Sequence, residues 1–183
     1  EQIKAQVEKE CKEFGKVPNW FFDGHLLGVE KFAKELLVKF PEADEEVVML
    51  SVWLHDLQRI RGIDGNHVEI GAEEAEKVLI EHNYNSNKTK IIKDAILAHQ
   101  CKDALMPLTI EGKILSSADA MSYYINDFYL NIAMTEQRGA EEFKKWALNK
   151  LDRDYNQKIQ FDFAREMIKG RHEAITNFLN LQN

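Results

Sequence analysis

The stretch Val47-Val48-Met49-Leu50-Ser51-Val52-Trp53-Leu54-His55-Asp56 is apolar apart from one serine until it ends on an imidazole and a carboxylate. A helix that is apolar almost all round belongs at the centre of a bundle. His55 and Asp56 therefore need interior partners, because an unpaired charge taken out of water is costly. Working outward, the chain supplies His25 before the pair and His67, His99 and Asp119 after it, each in a stretch of helical periodicity. Imidazole nitrogens and carboxylate oxygens are the ligands that suit divalent first-row metals. Six of them suffice for two ions if one carboxylate bridges. An isolated His-Asp pair means little; the ordered set points to a metal centre.

Helix geometry supports the grouping. Leu26, Val29, Phe32, Ala33, Leu36, Leu37 and Phe40 form an amphipathic stripe, and His25 continues its core-facing side. His99 shares a face with Ile92, Ala95 and Ile96. Asp119 follows Leu115 by four residues in a run that also carries Ile114, Ala118 and Ile125. His67 opens the helix whose stripe is Val68, Ala72, Ala75, Val78 and Leu79, and lies one step off it. His82 is expected at a helix C-terminus, where imidazole meets the dipole, and His172 in solvent.

The segments GHLLGVEKFAKELL (24–37), VVMLSVWLHDLQRIRG (47–62), NHVEIGAEEAEKVL (66–79), IIKDAILAHQ (91–100) and EGKILSSADAMSYY (111–124) together resemble the HD superfamily of metal-dependent phosphohydrolases, over roughly His25 to Tyr124. The resemblance implies an all-α, single-domain helical bundle of the HD-domain type. In it His25, His55, Asp56 and Asp119 hold one ion, and His67 and His99 hold a second with Asp56 as the bridge. Two divalent transition-metal ions are expected, iron, manganese, nickel or zinc, with magnesium kept open. No second histidine adjoins His99 and no Gly-Tyr-Pro motif is present, which argues against the cyclic-dinucleotide phosphodiesterase branch.

The expected chemistry is hydrolysis of a nucleotide or other small phosphoester, monoester or diester, by attack of a metal-bound hydroxide. Asp56 is the central catalytic residue. Phosphate also calls for cations, preferably forked ones. Arg59 and Arg61 follow Asp56 on what reads as a loop, 57–66, and Lys102 follows His99. Arg59 is assigned both a catalytic and a substrate-binding role; Arg61, Lys102 and Tyr123 are assigned to substrate, with Asn126 as a further contact. Two alternatives use the same ligands: a di-iron oxygenase, and a metal-stabilised binding module without turnover.

Composition sets the bounds. A chain of 183 residues suits one domain, read as 1–183, with a metal-binding core at 20–125 and accessory helices at 126–183. The net charge of −7, with acids and bases interspersed, counts against a nucleic-acid surface, so a small phosphorylated substrate is expected and no nucleic-acid polymer. The longest apolar run, about eight residues, is far short of a membrane span. Two cysteines, Cys11 and Cys101, are too few for a disulfide framework, and no secretory signal is visible. A cytoplasmic monomer or homodimer is the expectation. Cys101 is read as a structural thiol.

With three prolines and nine glycines and no sustained period-two alternation, the chain reads as helix after helix. The periodicity predicts helices near 2–14, 20–39, 43–57, 67–82, 88–99, 109–125, 126–136, 139–157 and 161–180. The tail beyond 125 carries amphipathic stripes without a motif. It is expected to pack on the core, with a lid or dimer surface as the alternative.

Overall fold

The computed structural model describes residues 1–102, 105–125, 127–135 and 138–180, at Phe14 the backbone alone. The order is α1 (Gln2–Lys9), α2 (Leu27–Leu37), α3 (Glu45–Leu54), α4 (Leu57–Arg61), α5 (His67–Glu81), α6 (Ser86–Ala98), α7 (Ile110–Ser122), α8 (Phe128–Thr135), α9 (Ala140–Arg153) and α10 (Asp162–Asn180). Wider π-helical turns extend α1 (Glu10–Phe14), lead into α2 (Phe22–Leu26) and extend α9 (Asp154–Lys158). No strand occurs among the described residues, and the protein is all-α.

The apolar stretch that opens the sequence reading is α3, with Val47, Val48, Leu50, Ser51, Val52, Trp53 and Leu54 buried. It lies at the centre, touching α1, α2, α5, α6 and α7. α7 is buried over nearly its whole length and packs along α2. Helix starts follow side-chain chemistry. Asp44 accepts from the Val47 amide at 3.2 Å, Asn66 from Val68 at 3.2 Å, Asn85 from Asn87 at 2.9 Å and Thr109 from Gly112 at 3.1 Å.

The stretch 57–66 departs from the loop expected there. Leu57 and Ile60 are buried, which anchors a short helix immediately after Asp56. Gly62 ends it in the left-handed region, at φ 61°. Predicted position 126 and the end of the 126–136 helix fall partly outside the described residues. Among the described residues no helix is long and apolar enough to cross a membrane. His82 does cap α5, as expected, while its ring meets Gln6 Oε1 at 3.0 Å. His172 is half-buried rather than out in solvent: its ring stacks on Tyr155 with centroids 4.1 Å apart.

Candidate metal centre

Five of the six expected ligands lie at or beside helix ends, and this is what lets distant segments meet. His55 closes α3 and Asp56 turns the chain into α4, at φ −107° and ψ 16°. His99 closes α6, and His67 is the first residue of α5. His25 sits in the π-helical turn before α2, a backbone irregularity often met at functional sites. Asp119 alone comes from within a helix, α7. α5 comes very close to the end of α3, since a Cβ at Gly71 would stand 3.2 Å from the His55 carbonyl oxygen. A side chain there would push His67 away from Asp56.

The four rings share one orientation rule. Each Nδ1 has a partner: Ser122 Oγ at 3.1 Å for His25, Val52 O at 2.8 Å for His55, Gln58 Oε1 at 2.9 Å for His67 and Ile96 O at 2.6 Å for His99. Every Nε2 is thereby left for the centre, the arrangement by which proteins aim imidazole at a metal. His55 Nε2 and His67 Nε2 are buried without a hydrogen bond. Carboxylate oxygens stand near both without completing a hydrogen bond. His67 Nε2 is 3.0 Å from Asp56 Oδ1, and His55 Nε2 is 3.5 Å from Asp56 Oδ2. His25 Nε2 lies 3.2 Å from Asp56 Oδ2 and 3.5 Å from Asp119 Oδ1.

Protonation states suit the same purpose. Burial pushes His25 and His99 below the ordinary histidine range, toward the neutral form that coordinates. Burial alone would raise Asp56, but His55 and Arg59 outweigh it and hold the carboxyl well below its usual range. Asp119 behaves likewise, with Lys158 and His55 opposing burial. Among the described residues three groups could each hold an ion: His25, His55 and Asp56; His55, His99 and Asp119; and Asp56, His67 and His99. The buried orphan nitrogens of His55 and His67, the imidazoles of His25 and His99 pushed toward the neutral form, and two carboxylates held ionised together fit a divalent transition metal.

The remaining expected site residues divide. Arg59 reaches the centre, with Nε 3.3 Å from Asp56 Oδ1. Lys102 lines the cleft above it. Arg61 is not brought there. It donates to Glu10 at 2.7 and 2.8 Å and to Glu74 at 2.6 Å, and is not among the residues that line the cleft. Tyr123, expected to touch substrate, does line the cleft, where it gives its hydroxyl proton to Asp119 Oδ1 at 2.8 Å and stacks on His25 with centroids 5.2 Å apart. Asn126 lies outside the described residues. Cys101 is buried, 3.2 Å from Ser116 Oγ, and belongs to none of the three ligand groups.

Sequence reasoning missed the walls. The cleft, about 760 Å³, takes Lys16 and Trp20 from one side and Phe128, Ile132, Arg138, Trp146, Lys150, Arg153 and Lys158 from the tail. Its cations are Lys16, Arg59, Lys102, Arg138, Lys150, Arg153 and Lys158, gathered on a chain whose net charge is −7. Lys150 is held over the Tyr123 ring at 3.6 Å and pairs with Asp154 at 2.6 Å. The one signal for this wall was the spacing of Trp146, Lys150 and Arg153, which places them on one face of α9.

Burial brings Lys150 down to about 8, against the pull of Asp154 and with help from Lys158. The cost of burying the ammonium is present in full below pH 8. It is relieved as the pH rises, because the unfolded chain then binds more protons than the folded one. The wall loses that positive charge over the same range. KM for an anionic substrate is expected to rise above pH 8, and Lys150→Arg to flatten the rise. A KM profile from pH 6.5 to 9.5 that is identical in the two proteins would remove Lys150 from substrate binding.

Curated relatives include the 3′-5′ exoribonuclease YhaM of Listeria monocytogenes and of Listeria innocua, both 24% identical over 119 residues. These matches take in 56% of this chain and 38% of the relative's length. A predicted HD superfamily hydrolase from an uncultured Thermotogales bacterium superposes with a TM-score of 0.65 at 21% identity, over 98% of this chain and 88% of its own. A second, from Bacillus thuringiensis, does so with 0.66 at 16%, over 98% and 92%. The exoribonucleases overturn the expectation that no nucleic-acid polymer is involved. Net charge averages over the whole surface and does not report a local gathering of cations such as the one that lines the cleft. The HD domain model matches residues 22–124, the segment that carries all six candidate ligands, and the chain belongs to the HD domain family.

Proposed function

We propose that the chain is a metal-dependent phosphoester hydrolase with a two-ion centre bridged by Asp56. The observation that carries this reading is the division of the Asp56 carboxylate at the floor of a cationic cleft: Oδ2 faces His25 and His55, and Oδ1 faces His67. His25, His55, Asp56 and Asp119 would hold one ion, and His67, His99 and Asp56 the other. When bound, such ions supply Lewis acidity toward a phosphoryl oxygen and bring the pKa of water toward neutrality.

The chain's own side chains do the rest. Arg59 stands at the mouth of the centre with a forked donor set, and orients and neutralises a phosphoryl group. Lys102, Lys150 and Arg153 concentrate an anion in the cleft, which an oxygenase acting on a neutral substrate would not require. Trp20, Phe128 and Trp146 offer apolar ring surface, suited to the base of a nucleotide or of an RNA end. Arg59→Ala is expected to lower kcat/KM roughly tenfold, the loss of one charge-assisted contact, with metal content unchanged.

The deciding experiment is elemental analysis of anaerobically purified protein, then a panel of nucleoside phosphates, cyclic nucleotides and short RNAs with the native metal restored. Release of phosphate or of mononucleotides supports the reading. Substrate-dependent oxygen uptake without release of either would move the chain to the oxygenase class.

A further inference from the structure

The tail carries a buried ammonium into the ligand cluster, and the two-ion reading makes no use of it. Lys158 is 2% exposed and ends the π-helical turn that continues α9. Its carbonyl oxygen lies 2.9 Å from the Ser116 hydroxyl, and the Gln160 amide donates to Ser117 Oγ at 2.9 Å. The turn is thus tied to α7 just ahead of Asp119. From that anchorage Lys158 Nζ donates to Asp119 Oδ2. The other oxygen, Oδ1, accepts from Tyr123 at 2.8 Å and faces His25 and His55 at 3.5 and 3.9 Å. One carboxylate is therefore shared out by atom: Oδ2 to the lysine, Oδ1 to the imidazole side.

We infer that Lys158 is a positioning residue of the metal centre, which holds Asp119 by Oδ2, leaves Oδ1 as the single oxygen offered to an ion, and weakens the centre's hold on divalent cations. The inference rests on the metal-centre reading. A fixed positive charge one carboxylate away from a divalent ion repels it through a medium far less screening than water. The same ammonium competes with the ion for Asp119. A merely structural lysine would act in the opposite sense, since its loss would loosen the ligand set and weaken ion binding.

Titration calorimetry of the metal-stripped full chain with Mn²⁺ separates the two. Lys158→Met is expected to bind Mn²⁺ roughly tenfold or more tightly than the wild type. Lys158→Arg, which keeps the charge, is expected to stay close to the wild type. Unchanged or weaker binding by a folded Lys158→Met overturns the inference. Should that variant fail to fold, a crystal of the wild-type chain with Mn²⁺ decides instead. Lys158 still on Oδ2 upholds the inference, whereas chelation by both Asp119 oxygens with the lysine turned away overturns it. A wild-type chain that takes up neither Mn²⁺, Fe²⁺ nor Zn²⁺ overturns the metal-centre reading as well; Mn²⁺ binding indifferent to Lys158 overturns the inference alone.

Discussion

Asp56→Ala is expected to strip the purified protein of transition metal and to lower phosphoester hydrolysis by roughly 10³-fold or more, since the several kcal/mol that bound ions contribute would be lost together. The reasoning is geometric. Asp56 is the residue whose two oxygens face separate histidines, His25 and His55 on one side and His67 on the other. The fold should survive, because the apolar body of α3 ends before the substituted residue. Metal analysis beside circular dichroism reads both outcomes. A well-folded Asp56→Ala that keeps its full complement of metal would show that the carboxylate is not the shared ligand.

His67→Ala and His99→Ala test the division itself. Each is expected to reduce the metal content by one equivalent, leaving the ion assigned to His25, His55, Asp56 and Asp119. Hydrolysis should fall roughly 10²-fold or more in each, because two ions share the stabilisation of the attacking and leaving oxygens. The two variants differ in fold risk. His67 is partly exposed at the start of α5, whereas His99 is 2% exposed among the rings of His55 and His67. His67→Ala is therefore the cleaner experiment. Wild-type rates in both variants with a single added metal would make the centre functionally mononuclear.

The candidate ligand set was legible in the sequence because each member follows from a local rule: an imidazole or carboxylate on an apolar helix face, or at the end of an apolar helix. The error over Arg61 arose from reading 57–66 as a loop. The spacing of Leu57 and Ile60 is that of a helical turn, and on a turn Arg59 faces Asp56 three residues back while Arg61 does not. What then holds Arg61 is Glu10, 51 residues earlier, a pairing no local rule could supply. The same distance in sequence hid Lys158, which meets Asp119 across 39 residues through a turn with no motif. Tyr123 was found by proximity, but its role depended on the direction of one hydroxyl.

The tail's place in the cleft bears on where this protein can be cut. The family match ends at residue 124, yet Lys150, Arg153 and Lys158 lie well beyond it. Ser116 and Ser117 in α7 take partners from residues 158 and 160. A fragment trimmed to the matched segment would present those hydroxyls and the Asp119 carboxylate to solvent. The recognisable segment and the portable unit are therefore different objects: grafting or swapping of this centre has to carry the chain through α9 and its terminal turn.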